Sequence, residues 1–267
     1  MIMVKFQHMK AFLKNLSRSI LYIPGIMVFF ASISHGSVYI FDQVTTPNTE
    51  VYLKVQTKGR FFSDGGKRVD IYVEEKKIKR ILTGGDGYGY HRYLPDRKGM
   101  VPIEARSEGH RDTGILLVVD KDDKVILIEI ESALKESPLS DRPRRDSRQV
   151  VKDLAKKYKV IYLNSLLGAA LFQGWLDKEK FPESAVLQWR GASILKALTN
   201  RGVNLHAIIG SANTISEAKK HIQNRFTFEE TKDGRMVKDW EEIMELILKE
   251  SNQADRPSEE ENNKESE

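Results

Sequence analysis

The sequence predicts two domains of different class, an all-β sandwich over residues 37–122 followed by an α/β domain over residues 123–250. Two observations carry this reading. Short alternating apolar runs, broken by turn signals about every ten residues, fill the first stretch, the grammar of a sandwich. From Val125 onward apolar strands alternate with helical segments, which calls for a parallel sheet covered by helices on both faces.

In the first domain Val38-Tyr39-Ile40-Phe41 opens as a strand, and Val51 to Gln56 and Val69 to Val73 alternate with period two. Gly84-Gly85-Asp86-Gly87 reads as a tight turn. Val101 to Ala105 and Gly114 to Val119 complete the set. In the second domain the strands are Val125–Ile130, Lys159–Leu163, Ala185–Gln188, Asn204–Ile209 and a short one near Phe226–Phe228. The helices fall at Asp146–Tyr158, Leu166–Leu176, Gly191–Thr199, Thr214–Ile222 and Val237–Leu248. In such a sheet the ligand crevice lies at the C-terminal ends of the strands.

The flanks differ from both domains. Lys5, Lys10, Lys14 and Arg18 precede an apolar stretch from Ile20 to Ile33, and small residues follow at Ser34 and Gly36. This is the pattern of a secretory signal, and the stretch is short for a membrane span, which needs about 20 apolar residues. Residues 1–36 are therefore expected to direct export to a periplasm or the medium, with membrane contact only through an uncleaved signal. Residues 251–267 are polar and acidic and read as a disordered tail. The net charge of +5 comes from 43 basic and 38 acidic residues spread along the chain, so nucleic acid is not expected as a partner. The chain has no cysteine, which removes disulfides and thiol chemistry.

Two family resemblances sharpen the reading. Thr83-Gly84-Gly85-Asp86-Gly87-Tyr88-Gly89-Tyr90, then Leu94-Pro95, Gly99 and Ala105-Arg106-Ser107-Glu108-Gly109, resembles an immunoglobulin-like module of the carboxypeptidase-regulatory type, in which the first of these segments forms a hairpin. Val125-Ile126-Leu127-Ile128-Glu129-Ile130-Glu131-Ser132-Ala133-Leu134 resembles the first motif of haloacid-dehalogenase-type (HAD) phosphatases, a strand ending in D-x-D-G-T-L. Val160 to Ser165 looks like the second strand, and Val203 to Gly210 with Glu217-Ala218 like the fourth. The lipin-like group of Mg-dependent phosphatidate phosphatases is the nearest in flavour. The resemblance implies a HAD-like, Rossmann-type sheet. It places the nucleophile on Glu129, the acid/base on Glu131, the fourth-motif acids at Ser211 and near Ile215, and the phosphate-binding hydroxyl on Asn164 or Ser165. The motif threonine becomes Ala133, and Arg190 and Lys196 stand near the third-motif lysine.

These departures have physical consequences. Mg²⁺ requires oxygens at about 2.0–2.1 Å in near-octahedral array, and glutamate is one methylene longer than aspartate. A nucleophile displaced by about 1 Å loses about two orders of magnitude in rate. Ser211 and Ile215 supply no charge to a metal. The implied function is a degenerate, non-hydrolytic binding or scaffold module for a protein partner or a phosphorylated ligand, with no metal or other cofactor. The alternative is an Mg-dependent phosphohydrolase that works with Glu129 and Glu131, and Mg²⁺ would be its cofactor. A rival register, with Asp120-Lys121-Asp122-Asp123 at the strand end, would restore the missing aspartates. The six histidines show no metal-ligand spacing, and His206 reads as a satisfied core residue. Arg142, Arg144, Arg145 and Arg148, between the first strand and its helix, read either as a solvated basic face or as phosphate ligands. Gly84–Gly87 is no phosphate loop, because no helix follows it.

Overall fold

The computed structural model describes residues 37–59, 62–138, 140–165 and 169–254. The signal-like segment and residues 255–267 of the tail lie outside them.

Eight strands precede the parallel sheet: β1 (Ser37–Ile40), β2 (Gln43–Thr45), β3 (Val51–Lys58), β4 (Arg68–Val73), β5 (Lys76–Leu82), β6 (Tyr88–Tyr93), β7 (Gly99–Ser107) and β8 (His110–Val118). They form a three-stranded sheet ordered β1-β3-β6 and a five-stranded sheet ordered β2-β8-β7-β4-β5. One core lies between the two. Val38, Ile40, Val51, Leu53 and Val55 come from the first sheet, and Val69, Ile71, Val101, Ile103, Leu116 and Val118 from the second. Each of these strands contributes alternate residues, as period-two burial requires. This is the β-sandwich that the sequence predicts.

Two strands of the sandwich escape the sequence reading. Strand β2 is three residues long and pairs in parallel with β8 after the chain leaves the first sheet at Phe41 and Asp42. Strand β5, Lys-Lys-Ile-Lys-Arg-Ile-Leu, carries little of the apolar signal of a strand because it forms a sheet edge. Its Lys77 and Arg80 reach Asp70 of β4 at 2.7 and 2.6 Å, and the Arg80 guanidinium holds the Asp70 carboxyl well below its ordinary range. The Gly84–Gly87 turn also departs from expectation. It carries the chain from the five-stranded to the three-stranded sheet rather than closing a hairpin. Gly87 has φ +77°, and a Cβ there would stand 2.6 Å from the Thr57 carbonyl oxygen.

The remaining elements alternate: β9 (Lys124–Glu129), α1 (Ser147–Leu154), β10 (Lys159–Asn164), α2 (Ala169–Lys178), β11 (Val186–Gln188), α3 (Ala192–Asn200), β12 (Asn204–Ile209), α4 (Ala212–Ala218), β13 (Asn224–Thr227), β14 (Arg235–Met236) and α5 (Trp240–Ala254). The sheet is ordered β11-β10-β9-β12-β13-β14 and every pairing in it is parallel. Ile126, Ile128, Tyr162 and Ile209 pack on one face with Val151, Trp175, Trp240 and Ile243 from α1, α2 and α5. Val125, Leu127, Ile161 and Ile208 pack on the other with Leu195 and Leu198 of α3 and Ile215 of α4.

That second core does not stop at the helices. Val44 of β2 and Leu117 and Val119 from the end of the sandwich belong to it. The sandwich thus lies directly against the α/β half. Arg201 donates through Nη1 to the Val44 carbonyl at 2.9 Å, and Thr46 Oγ1 donates to the Arg201 carbonyl at 2.6 Å. Asp42 is the centre of the junction. Its Oδ1 accepts from the Ile115 amide at 2.8 Å, and its Oδ2 accepts from the Val186 amide at 2.8 Å and Gln173 Nε2 at 2.9 Å. A Cβ on Gly114 would fall 2.8 Å from Oδ1, so the glycine makes room for this carboxylate.

Burial pushes the Asp42 carboxyl up to about 6 against the opposing hydrogen bonds from Val186 and Ile115, and the nearby Asp112 adds to the push. The folded protein therefore takes up this proton before the unfolded chain does as pH falls. Stability from Asp42 rises as pH drops from about 6 toward the ordinary carboxylate value, and falls as pH rises through about 6. Asp42→Ala leaves two amides without their acceptor, at about 1–3 kcal/mol each. Urea unfolding near neutral pH should show a loss on the order of 3 kcal/mol, and the gap to wild type should widen as pH is lowered to about 5. A gap that narrows would contradict the assignment.

Candidate functional site

Strand β9 is a continuous apolar run buried from Val125 to Ile128, as a central parallel strand should be. It ends on Glu129, and the chain then makes a π-helical turn, Ile130–Leu134, closed by Lys135 N–H to the Ile130 carbonyl at 3.2 Å. Such turns are rare and frequent at functional sites. Glu129 and Glu131 are only 3 and 2 % exposed. Asp120–Asp123, the rival register, is a turn between β8 and β9, with the Asp123 amide donating to the Asp120 carbonyl at 3.1 Å. The tip of the central parallel strand is therefore Glu129.

Both carboxylates are engaged. Glu129 Oε2 accepts from the Ser211 amide at 2.8 Å, at the end of β12. Glu131 Oε1 accepts from the Ser165 amide at 2.9 Å, just beyond β10. Ser211 caps α4, its hydroxyl accepting from the Thr214 amide at 3.3 Å. The next amide, Ala212, donates to Glu229 Oε2 at 2.8 Å. The Ser211 and Ala212 amides at the start of α4 and the Ser165 amide after β10 face the protein's own carboxylates, in charge-assisted bonds. An incoming oxyanion would have to displace a carboxylate to reach any of them.

The structure thus brings Glu129, Glu131, Asn164, Ser165 and Ser211 together at the ends of three adjacent strands. Asn164 is fully buried and its carbonyl accepts from the Trp189 amide at 2.8 Å, whereas Ser165 is exposed. Arg190 and Lys196 are not part of this group. Arg190 donates to Gln188 Oε1 at 3.1 Å and lies near enough to Lys54 of the sandwich to depress the Lys54 pKa, after the larger effect of burial. Lys196 is exposed on α3, and no described hydrogen bond or ion pair joins it to the carboxylates.

The Mg²⁺ that the sequence resemblance implies does not fit these residues. Each of its two carboxylate candidates gives one oxygen to a backbone amide, Ser211 is a helix cap, and Ile215 is fully buried in the apolar core, so no second acid completes a metal site. Among the described residues no three His, Cys, Asp or Glu side chains are grouped to hold a metal ion.

Other sequence readings are refined. His206 stacks on Tyr158 with ring centroids 5.4 Å apart, and burial lowers its pKa, but its Nε2 is buried without a hydrogen-bond partner rather than satisfied. Arg144 is not part of a solvated face. Its guanidinium lies 4.2 Å over the Phe228 ring, and Nη2 donates to the Ser132 carbonyl at 3.1 Å. Glu229 was not singled out by sequence, and nothing in its polar surroundings marks it. Asp42 had a signal, a lone acid directly after the apolar run of β1.

A β-sandwich joined through a common core to an all-parallel α/β sheet is the class of molecule these elements define. Comparison with known proteins adds no family name. No protein-family model matches the sequence, and no curated protein matches it. Solved structures that match include a CARDB domain from Pyrococcus furiosus, at 17% identity and TM-score 0.27 over 33% of this chain and 94% of that one. Fibronectin(III)-like modules of Clostridium thermocellum CbhA match at 17% identity and TM-score 0.23, over 31% of this chain and 97% of theirs. A carbohydrate acetylesterase from Xanthomonas citri matches at 10% identity and TM-score 0.29, covering 68% of this chain and 48% of its own.

Gly210 tests the geometry of the mouth. A Cβ there would meet Glu129 Oε2 at 2.7 Å and Thr214 Cγ2 at 3.0 Å. Gly210→Ala should lower the unfolding free energy by about 1–3 kcal/mol. In a Glu129→Ala background part of that penalty should vanish, giving a coupling of about 1 kcal/mol in a double-mutant cycle. Strict additivity would mean that the carboxylate is not held where the structure has it.

Proposed function

We propose that this chain is an exported, catalytically degenerate HAD-like protein, in which an immunoglobulin-like sandwich precedes an α/β domain that serves as a binding or scaffold module. The observation that carries the reading is the engagement of Glu129 and Glu131 by the Ser211 and Ser165 amides. A nucleophilic carboxylate must present a lone pair to the phosphorus, and a metal ligand must present one to the ion. Here one oxygen of each carboxylate accepts from a backbone amide, which competes with both roles. The strand order, with β9 central and β10 and β12 on either side, supports the HAD-like reading, because it sets both glutamates at the crevice. The basic residues and apolar run of residues 1–36 support export.

Purified protein should not hydrolyse p-nitrophenyl phosphate or phosphatidate in Mg²⁺ or Mn²⁺ above the rate of its own Glu129→Gln variant. Turnover that Glu129→Gln abolishes would replace this reading with that of a phosphohydrolase using glutamates.

A further inference from the structure

We propose that the basic cavity beside α1 binds a compact polyanion carrying two or more phosphate or sulfate groups, at a position distinct from the carboxylate-filled mouth of the sheet. The cavity measures about 460 Å³ and is lined by Arg144, Arg145, Arg148, Lys152 and Lys180, with Asp146 as its one acidic lining residue. Four of these cations come from residues 144–152, and Lys180 comes from beyond α2. The fold therefore adds Lys180 to a cluster of cations that the sequence already holds together.

Self-repulsion among five cations is unfavourable unless carboxylates or a ligand offset it. The carboxylates offset the arginines more than the lysines. Arg145 meets Asp146 at 3.2 Å, and Arg148 approaches Glu179 only to 3.8 Å. Among the described residues no carboxylate lies within salt-bridge distance of Lys152 or Lys180. Arg144 feels the charges of Glu229 and Glu136, so the unmet charge around the concavity is carried chiefly by the two lysines. By contrast, Lys77 and Arg80 lie at 2.7 and 2.6 Å from Asp70, and Lys156 at 2.6 Å from Asp153.

One cation is also held in place before any ligand arrives. Phe228 and the Ser132 carbonyl hold the Arg144 guanidinium, so less side-chain entropy is lost on binding. The volume lies in the range of small-molecule sites, roughly 300–1,000 Å³, and exceeds what one phosphate fills. Guanidinium forks match the paired oxygens of phosphate or sulfate, and lysines add point charges. A short chain of oxyanions answers both the size and the charge of the cavity.

The test is isothermal titration of the full chain with sodium tripolyphosphate at low salt, with orthophosphate and a sulfated disaccharide in parallel. Saturable binding of tripolyphosphate or the disaccharide is expected, at least about tenfold tighter than orthophosphate. Whichever of the two binds more tightly tells phosphate from sulfate as the source of the charge. Lys152→Glu with Lys180→Glu should weaken it by at least about tenfold, and both positions are exposed, so the fold should persist. Lys76→Glu with Lys79→Glu, on β5, changes the net charge equally and should leave binding within about twofold. Equal losses in the two double variants would overturn the proposal, since net charge alone would then be at work. So would absence of binding to either polyanion. Binding confined to phosphatidylcholine vesicles doped with phosphatidate would overturn it too, since the face would then be a membrane surface.

Discussion

Asp42 joins three parts of the chain that lie far apart in sequence. It stands where the chain leaves β1 for β2, and it accepts from Ile115 in β8, from Val186 in β11 and from Gln173 in α2. A carboxylate at 6 % exposure is tolerable only when its lone pairs are met, and here they are met by donors from both halves. The strand switch places the group, Gly114 leaves space for it, and Val44, Leu117 and Val119 close the apolar layer around it. Without this acceptor, the Val186 amide would be buried without its bond at the seam between sandwich and sheet. The arrangement of the two layers, and so the placing of the crevice, depends on that seam.

The crevice follows the same logic of donors seeking acceptors. Parallel sheets end in loops whose amides point into the crevice, and in many such folds an anionic ligand answers them. Here glutamates do so. The extra methylene of Glu129, relative to aspartate, lets it reach across to the Ser211 amide beyond the neighbouring strand. Glu131 reaches Ser165 on the other side through the π-helical turn. Both side chains act as acceptors that tie β9 to the ends of β10 and β12.

Much of the architecture was legible because buried strands advertise themselves. Val125–Ile128, Val160–Leu163 and Ala207–Ile209 are apolar on both faces, as only interior parallel strands are. The five residues at the mouth were picked out by the resemblance to HAD-type motifs, whose positions fall at strand ends. What failed did so on physical grounds. Strand β5 has a charged sequence because an edge needs little burial, and β2 is too short to show a period. The direction of the Gly84–Gly87 turn depends on which sheet each flanking strand joins, a long-range choice. Lone surface residues such as Glu229 take their role from the fold alone, and the position of Arg144 over Phe228 depends on a contact across 84 residues of chain.

The charged edge strand has a further consequence. Strand β5 leaves one row of backbone donors and acceptors unpaired, a template onto which a strand from another copy can add. Lys76, Lys77, Lys79 and Arg80 line that edge, so a second β5 approaching it would bring like charges together. At the opposite margin β2 is short and lies against the α/β half. The five-stranded sheet therefore ends in a cationic border on one side and a covered one on the other. Such borders discourage the edge-to-edge polymerisation to which exposed sandwich sheets are prone.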